Sequence, residues 1–172
     1  VFFPKITQCP IERPKYLIAQ IKEDHPYSST SIIEGIKLMI WGYFKKLVVA
    51  DRLAIYVNAV YNNNEHHNGM TLIVATVFFA FQIYADFSGY TDIALGSAKL
   101  FGINLTNNFK RPYFSTSVKE FWNRWHISFS TWLRDYIFLP IAYFLSNQME
   151  KQKYLNISKE KWIYLIAIMV TF

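Results

Sequence analysis

The feature that most constrains this chain is an apolar run without charge, MTLIVATVFFAFQIYA, over residues 70–85. A helix needs about 20 mostly apolar residues to cross a bilayer, and this run reaches that length only by continuing through DFSGYTDIALG. That extension contains Asp86 and Asp92, with Ser88 and Tyr90 between them. The sequence therefore predicts a membrane-spanning helix with polar groups in its second half.

The two carboxylates of this helix need partners. An ionised carboxylate at the centre of a membrane helix costs about 2.5–3.5 kcal/mol on insertion scales, so both should face the protein interior. The cations available to pair with them are Lys99, Arg124 and Arg134. Small residues that would admit a neighbouring backbone are Ala85, Gly89 and Gly96. Two interpretations stay open: the wall of a polar tunnel, or a structural polar group that holds helices together.

Composition supports a membrane protein with large polar connections. Hydrophobic residues make up 52% of the chain and aromatic residues 19%, whereas charged residues make up 17%, which is unusual for a soluble domain. The net charge is +6, but the basic residues form short clusters between apolar runs, as in membrane loops, and a nucleic-acid partner is not expected. The single cysteine, Cys9, predicts neither a disulfide framework nor a metal cluster.

Helical segments are predicted on both sides of this span, after an irregular segment over 1–15. A helix begins near Ser29, with Ser29, Thr30 and Ser31 as possible caps and a capping box from Ser31 to Glu34. Charges within residues 31–61 favour an interfacial or tilted helix pair over one central span. Residues 62–69 and 102–114 are predicted loops. The sequence shows no repeat and no useful strand pattern, so the expected fold is all-α: a multi-helix integral membrane protein with transmembrane and re-entrant or interfacial helices.

A second helix is predicted over 117–139, opened by a Ser117–Glu120 capping box and stopped or kinked at Pro140. Helical spacing puts a polar stripe on one side of it, made of Lys119, Asn123, His126, Ser130 and Arg134. An imidazole titrates near neutral pH, so His126 could accept a proton from a hydroxyl or position a substrate. The alternative is a helix histidine that bonds a neighbouring helix, and the spacing alone favours that structural role.

Other site classes find little support. Glu65, His66 and His67 are adjacent on a loop and would converge poorly on one ion, so no metal site is expected. The sequence also shows no Gly-rich phosphate loop, nucleophile elbow or Cys pair. The first residue is not Met, no signal pattern precedes the fold, and the last residues lie in an apolar run. We therefore expect an internal piece of a longer protein, truncated at both ends.

Residues 84–140 carry a family resemblance. The stretch YADFSGYTDIALGSAKLFGINLTNNFKRPYFSTSVKEFWNRWHISFSTWLRDYIFLP resembles the signature region of the membrane-bound O-acyltransferase family, most closely its alginate O-acetyltransferase branch. D-alanyl transfer proteins of teichoic acid modification are similar but more distant. FFPKITQCPIERP and GYFKKLVVADRLA resemble two further blocks, although Gln8-Cys9 stands where the family tends to have small residues. On this resemblance, residues 1–172 are part of a single transmembrane domain.

The resemblance implies a multi-pass enzyme of the bacterial cytoplasmic (inner) membrane, with helices around a tunnel. An activated acyl donor, such as acetyl-CoA or another thioester, would serve as co-substrate on the cytoplasmic side. The acetyl group would pass toward hydroxyls of an exported polysaccharide such as alginate, with help from partner proteins and without a bound cofactor. The alternatives are D-alanyl transfer, a non-enzymatic transporter or channel segment, and an inactive acyltransferase-like scaffold.

The resemblance also assigns residues. His126 matches the first of two characteristic family histidines and is carried over as a donor-side or supporting residue. The second, in a Trp-His-Gly block usually assigned as catalytic, would lie beyond residue 172, so this piece alone should be inactive. The expected tunnel or substrate residues are Asn123, Arg124, Trp125, Ser130, Trp132, Arg134 and Asp135. The group expected to brace the helices is Asp86, Ser88, Tyr90 and Asp92.

The basic loops constrain the orientation of residues 117–140. Clusters near 110 and over 151–161 can both be cytoplasmic only if the segment between them does not cross the membrane completely. The sequence therefore predicts a re-entrant or interfacial helix there.

Overall fold

The computed structural model describes residues 10–26, 28–149, 153–154 and 157–171. The chain divides into two compact units, Val1–Phe109 and Lys110–Phe172. The predicted irregular segment over 1–15 lies mostly outside the described residues, as does Cys9, and the first described helix begins at Pro14.

The described residues of the first unit form four α-helices. They are α1 (Pro14–Lys22), α2 (Ser29–Tyr43), α3 (Asp51–Tyr61) and α4 (Gly69–Leu100). A π-helical segment, Phe44–Ala50, joins α2 to α3, and a short 3-10 turn, Asn64–His66, lies before α4. Residues 31–61 were predicted as a helix pair, whereas the backbone stays helical across all three segments and changes only its hydrogen-bond register at the π-turn.

Side-chain caps fix where α2 and α4 begin. The Ser28 hydroxyl accepts from the Ser31 backbone N–H at 3.3 Å, so α2 starts where predicted but its cap precedes the three proposed residues. The predicted Ser31–Glu34 box is wrong, since the Glu34 carboxylate pairs with Lys99 at 2.6 Å. The Asn68 side chain caps α4 by accepting from the Thr71 N–H at 2.9 Å. Each cap supplies an acceptor for a backbone N–H in the first turn, which has no hydrogen-bond partner within the helix.

Helix α4 meets the predicted requirements of a membrane span. It has 32 residues and is long and apolar enough to cross a bilayer. Its second half packs along α2 through glycines on both helices. A Cβ atom built on Gly42 would lie 2.6 Å from the Gly89 carbonyl oxygen, and one built on Gly96 would lie 2.5 Å from that of Gly35. The prediction that Gly89 and Gly96 admit a neighbouring backbone is confirmed.

The described part of the second unit contains helices of 7 to 13 residues. A 3-10 turn, Pro112–Phe114, precedes α5 (Val118–Arg124) and α6 (Ile127–Leu133). A second π-helical segment, Arg134–Phe138, leads into α7 (Leu139–Gln148). Two-residue strands β1 (Lys153–Tyr154) and β2 (Ile157–Ser158) pair antiparallel before α8 (Lys159–Thr171), with Lys153 opposite Ser158. Helices dominate the part of the chain that the structure describes, which confirms the all-α fold class.

The predicted single helix over 117–139 is wrong. Helix α5 ends at Arg124, Trp125 is extended, and His126 adopts the left-handed conformation with φ 44°. Pro140 was expected to stop or kink the helix, but it lies in the first turn of α7, which continues to Gln148. The preceding π-turn explains this tolerance: the Leu139 N–H donates to the Arg134 carbonyl five residues back, so the backbone has left the ordinary α-helical hydrogen-bond register just before the proline.

Candidate functional site

The carboxylates of α4 find their partners on the continuation of α2. The Lys45 ammonium lies 2.7 Å from Asp92 Oδ2 and donates to Ser88 Oγ at 3.0 Å. The side chains of Lys45 and Asp92 are only 13% and 22% exposed. An ion pair at this depth needs its extra hydrogen bond, because desolvation offsets much of the attraction between the charges. The Ser88 hydroxyl therefore contributes to the stability of the buried ion pair by accepting a second hydrogen bond from Lys45.

Lys46 forms a second, more open cluster. Its ammonium lies 2.8 Å from Asp51 Oδ1 and 2.6 Å from Asp86 Oδ1, and all three side chains are between 42% and 52% exposed. The π-turn contributes to this arrangement, since the Asp51 N–H donates to the Lys46 carbonyl five residues back and thereby places the two side chains together. Tyr90 lies in the same part of α4 and is half-buried.

The predicted cations for these carboxylates are wrong. Lys99 pairs with Glu34, Arg124 with Glu120, and Arg134 with Asp135. Lys45 and Lys46, which pair with α4, form one of the short basic clusters between apolar runs whose pattern in the sequence is typical of membrane loops. One signal could have identified them, because GYFKKLVVA has apolar residues on both sides of the lysines, and charges within an apolar helix need buried partners. With two lysines and three carboxylates, the group carries one net negative charge when all are ionised.

His126 occupies the break between α5 and α6. Its left-handed backbone is uncommon for a residue other than glycine, and its carbonyl accepts from the Ser130 N–H at 3.0 Å. The imidazole is half-buried and lies 5.0 Å from the Phe129 ring, centroid to centroid, tilted by 34°. Burial lowers the pKa of the His126 imidazole, opposed in part by a hydrogen bond to backbone. The neutral, proton-accepting form is therefore favoured near neutral pH.

Three stacked rings support the break on its N-terminal side. Phe121 and Trp125 stack at 5.5 Å with 15° between their planes, and Tyr113 stacks on both at 6.5 and 6.2 Å. The Arg124 carbonyl accepts from the Lys110 N–H at 2.9 Å, and the Ser130 hydroxyl donates to the Trp125 carbonyl at 3.4 Å. Backbone groups released by the end of α5 thus have partners, so the break is an ordered feature.

Glu120 organises the start of α5. The Ser117 hydroxyl accepts from the Glu120 N–H at 3.2 Å, which confirms the predicted cap. The Glu120 carboxylate accepts hydrogen bonds from the Thr116 N–H at 2.7 Å and from the Thr116 hydroxyl at 2.9 Å. These bonds replace the bond from the Ser117 N–H that a capping box would have. The carboxylate also pairs with Arg124. The hydrogen bond from the Thr116 backbone is the main reason that the pKa of Glu120 lies below its ordinary value.

The predicted polar stripe is divided by the break. Lys119 and Asn123 lie exposed on α5, His126 stands in the break, and Ser130 lies on α6. Arg134 and Asp135 pair at 2.8 Å in the second π-helical segment, where the Trp132 ring packs 5.5 Å from Tyr136. The structure therefore groups Arg124, Trp125, His126 and Ser130 around the break, and places the last three predicted residues further along the chain.

The loop with adjacent histidines offers no obvious metal geometry. Glu65 and His66 are exposed in the short 3-10 turn. Within the described ranges, no group of three or more His, Cys, Asp or Glu side chains is placed to hold an ion.

These sites have different chemical capacities. The half-buried imidazole of His126 can accept a proton, and the guanidinium of Arg124, two positions earlier in the chain, carries several hydrogen-bond donors. The charges on α2 and α4 are mutually paired and serve first to hold two helices in register.

Comparison with known proteins gives this arrangement its context. A family model described as MBOAT, membrane-bound O-acyltransferase family, matches residues 15–157. Over 140 residues, the chain is 37% identical to a protein of Pseudomonas putida described as a probable alginate O-acetylase AlgI, which covers 81% of this chain and 28% of the relative.

Two further relatives are described as acyltransferases of other polymers. A peptidoglycan O-acetyltransferase of Helicobacter pylori is 32% identical over 82% of this chain and 27% of its own length. A teichoic acid D-alanyltransferase of Bacillus subtilis is 26% identical over 98% of this chain and 43% of its own length. The chain thus spans less than half the length of each of these relatives. The extent of the family match establishes that this chain belongs to the membrane-bound O-acyltransferase family.

Proposed function

We propose that the intact protein is an O-acyltransferase of the bacterial inner membrane that crosses the bilayer several times. It transfers acetyl groups from an activated thioester donor, such as acetyl-CoA, on the cytoplasmic side toward hydroxyls of an exported polysaccharide. The observation that carries the proposal is the ordered break at His126 within a chain of this family, where a proton-accepting side chain is held in a conformation that the helix would otherwise exclude.

The roles follow from the geometry of the break. His126 assists on the donor side by accepting a proton or holding the acyl carbonyl. Arg124, two positions earlier in the chain, supplies hydrogen-bond donors for oxygen atoms that become negative during transfer. The Ser130 hydroxyl holds the backbone of the break by donating to the Trp125 carbonyl. The stacked rings of Phe121 and Trp125 keep water away from one side of the break. Partner proteins would carry the acyl group onward to the polymer.

The charges of α4 support a wet passage. Asp86 lies in the helix that is long enough to span the membrane, and its partner Lys46 lies in the π-helical segment that continues α2; both side chains are about half exposed. Because exposed charges are costly against lipid, this face should adjoin water or the remaining part of the protein. In the proposal, the cluster of Lys46, Asp51 and Asp86 lies on the wall of the tunnel, while Lys45, Ser88 and Asp92 brace it.

The test uses the intact protein in cells that make the acetylated polymer. His126→Ala should lower polymer acetylation by about 10²-fold or more if the imidazole transfers a proton in the reaction. His66→Ala, in the exposed turn before α4, is the matched control and should leave acetylation unchanged. Normal acetylation by His126→Ala at normal protein levels would remove His126 from the mechanism.

D-alanyl transfer is the second candidate, because the teichoic acid D-alanyltransferase match extends over 98% of this chain. Cells fed labelled acetate or labelled D-alanine separate the two functions. Label from acetate in the isolated polymer, dependent on His126, supports acetyl transfer. Label from D-alanine alone would replace the first candidate with the second.

A further inference from the structure

Helix α5 is too short to cross a membrane. Its seven residues, Val118–Arg124, span about 10 Å, a third of the hydrocarbon thickness of a bilayer. The chain is extended at Ser117 and Trp125 on either side of it. The apolar side chains that α5 exposes must therefore be covered by something other than the lipid around a spanning helix.

The apolar side chains of this region form a stacked set and a more exposed set, which meet where the Trp122 ring packs edge-to-face on Phe121 at 5.5 Å. Phe121 and Trp125 stack with Tyr113. Val118 and Trp122, one helical turn apart on a neighbouring face, are 76% and 42% exposed. Phe114, in the turn before the helix, is 78% exposed.

Basic residues accompany the exposed set. Lys110, Arg111 and Lys119 are all exposed. The one carboxylate between residues 110 and 124, Glu120, is engaged by Arg124 and Thr116. Four cations against one carboxylate leave this segment with a net charge of +3. Tryptophan beside lysine and arginine is the composition favoured at the boundary between acyl chains and headgroups, and the positive charge complements anionic lipids.

We infer that residues 110–124 form an interfacial anchor that lies on a membrane leaflet containing anionic phospholipids. Phe114, Val118 and Trp122 enter the boundary with the acyl chains. Lys110, Arg111 and Lys119 contact the lipid phosphates. The stacked rings on the adjacent face of α5 then hold the break at His126 at a fixed depth below the headgroups. This inference rests on the membrane location of the family and not on the acyl-transfer reaction, so either can fail alone.

The first test measures depth in the intact protein. The protein is reconstituted in lipid nanodiscs and carries one spin label at Phe114→Cys, Val118→Cys or Asn123→Cys, with its other cysteines replaced. Labels at 114 and 118 should collide more with oxygen than with a water-soluble nickel chelate. The matched control at 123, on the polar face of the same helix, should show the reverse. Shielding of 114 and 118 from both reagents would mean that protein covers this face, and preference for the chelate would mean that it lies in water; either result overturns the anchor.

The second test addresses the headgroups. Phosphatidylglycerol added to phosphatidylcholine nanodiscs should move the label at 114 deeper, and high salt should reverse the shift. The combined change Lys110→Gln, Arg111→Asn and Lys119→Gln should abolish this response; asparagine is chosen because Arg111 has a left-handed φ of 48°. The control set, Lys37→Gln, Arg52→Gln and Lys161→Gln, removes as much charge elsewhere and should preserve the response. An unchanged response in the first set, or loss in both sets, would contradict specific contact with anionic lipid.

Discussion

The two units hold their polar side chains by opposite means. In the first, glycines bring two long helical segments so close that Lys45 and Lys46, on the π-helical continuation of α2, reach three carboxylates. In the second, an irregular backbone holds His126 between two short helices. Close helix packing keeps the charged groups of the first unit paired, whereas the break between α5 and α6 leaves the His126 side chain available for chemistry. Substitutions that disrupt the helix packing of the first unit but not the helix break of the second, or the reverse, can test this contrast.

The largest effect is expected from filling the glycine contact. Gly42→Leu places atoms where the Gly89 carbonyl oxygen and Ile93 already lie within 3 Å of a Cβ atom. Two backbones would have to separate, so we expect a loss above about 4 kcal/mol, at the upper end for single substitutions. Thermal unfolding of the intact protein in detergent measures it. Gly69→Leu is the control, because nothing lies within 4 Å of a Cβ atom built at Gly69. Equal losses of stability in both variants would show that the glycine contact between α2 and α4 makes no special contribution to stability.

The next effect separates the two lysines. Lys45→Met leaves Asp92 half-buried without its cation and should cost about 3 kcal/mol. Lys46→Met removes two ion pairs whose side chains are about half exposed, and the two together should cost less than about 1 kcal/mol. The same unfolding assay compares them. Recovery of stability in the double variant Lys45→Met with Asp92→Leu would confirm that the isolated charge causes the loss, and a Lys46→Met variant that loses as much as Lys45→Met would contradict the assigned difference in depth.

These pairs show how far sequence reasoning extends in the regular unit. Gly89 and Gly96 were predicted correctly as sites of close helix packing, and both carboxylates have the cationic partners expected of charges in an apolar helix. The prediction that both carboxylates face the interior is wrong for Asp86, whose side chain is 52% exposed. Their lysine partners were not identified. Pairing depends on how far one helix slides along another, and a single sequence does not encode that register in any short-range pattern.

The irregular unit was harder to predict for a different reason. NRWHISFSTW repeats apolar residues at helical spacing and contains no glycine or proline to mark a left-handed residue. The break at His126 depends on the stack of Tyr113, Phe121 and Trp125, whose members lie up to twelve positions apart. The Ser117 cap, by contrast, was predictable because it involves only residues within one turn.

Replacing His126 by glycine separates the effect of the backbone conformation at the break from the effect of the imidazole. His126→Gly relieves the left-handed conformation, which costs roughly 1 kcal/mol for residues with a Cβ atom. We expect this variant to be about 1 kcal/mol more stable than His126→Ala, while both lose acyl transfer. Unfolding and acetylation measured on the same preparations give the answer. If His126→Gly kept activity, the break would serve only to shape the backbone.

The smallest effect concerns the cap of α5 at acidic pH. The pKa of Glu120 is lowered in the fold by the hydrogen bonds from Thr116, so its stabilising contribution is fully present above the ordinary carboxyl pKa of about 4.3 and is lost as pH falls through the lower folded value. Hydrogen exchange at the Thr116 amide, which donates to this carboxylate, should therefore lose protection as the pH falls below the ordinary carboxyl pKa and through the lower folded value. This loss adds to the intrinsic pH dependence of exchange. In Glu120→Gln, protection should be weaker and independent of pH, because the amide cannot ionise. Parallel profiles in the two proteins would show that the carboxylate does not hold this turn, and the start of α5 would then rest on the Ser117 hydroxyl alone.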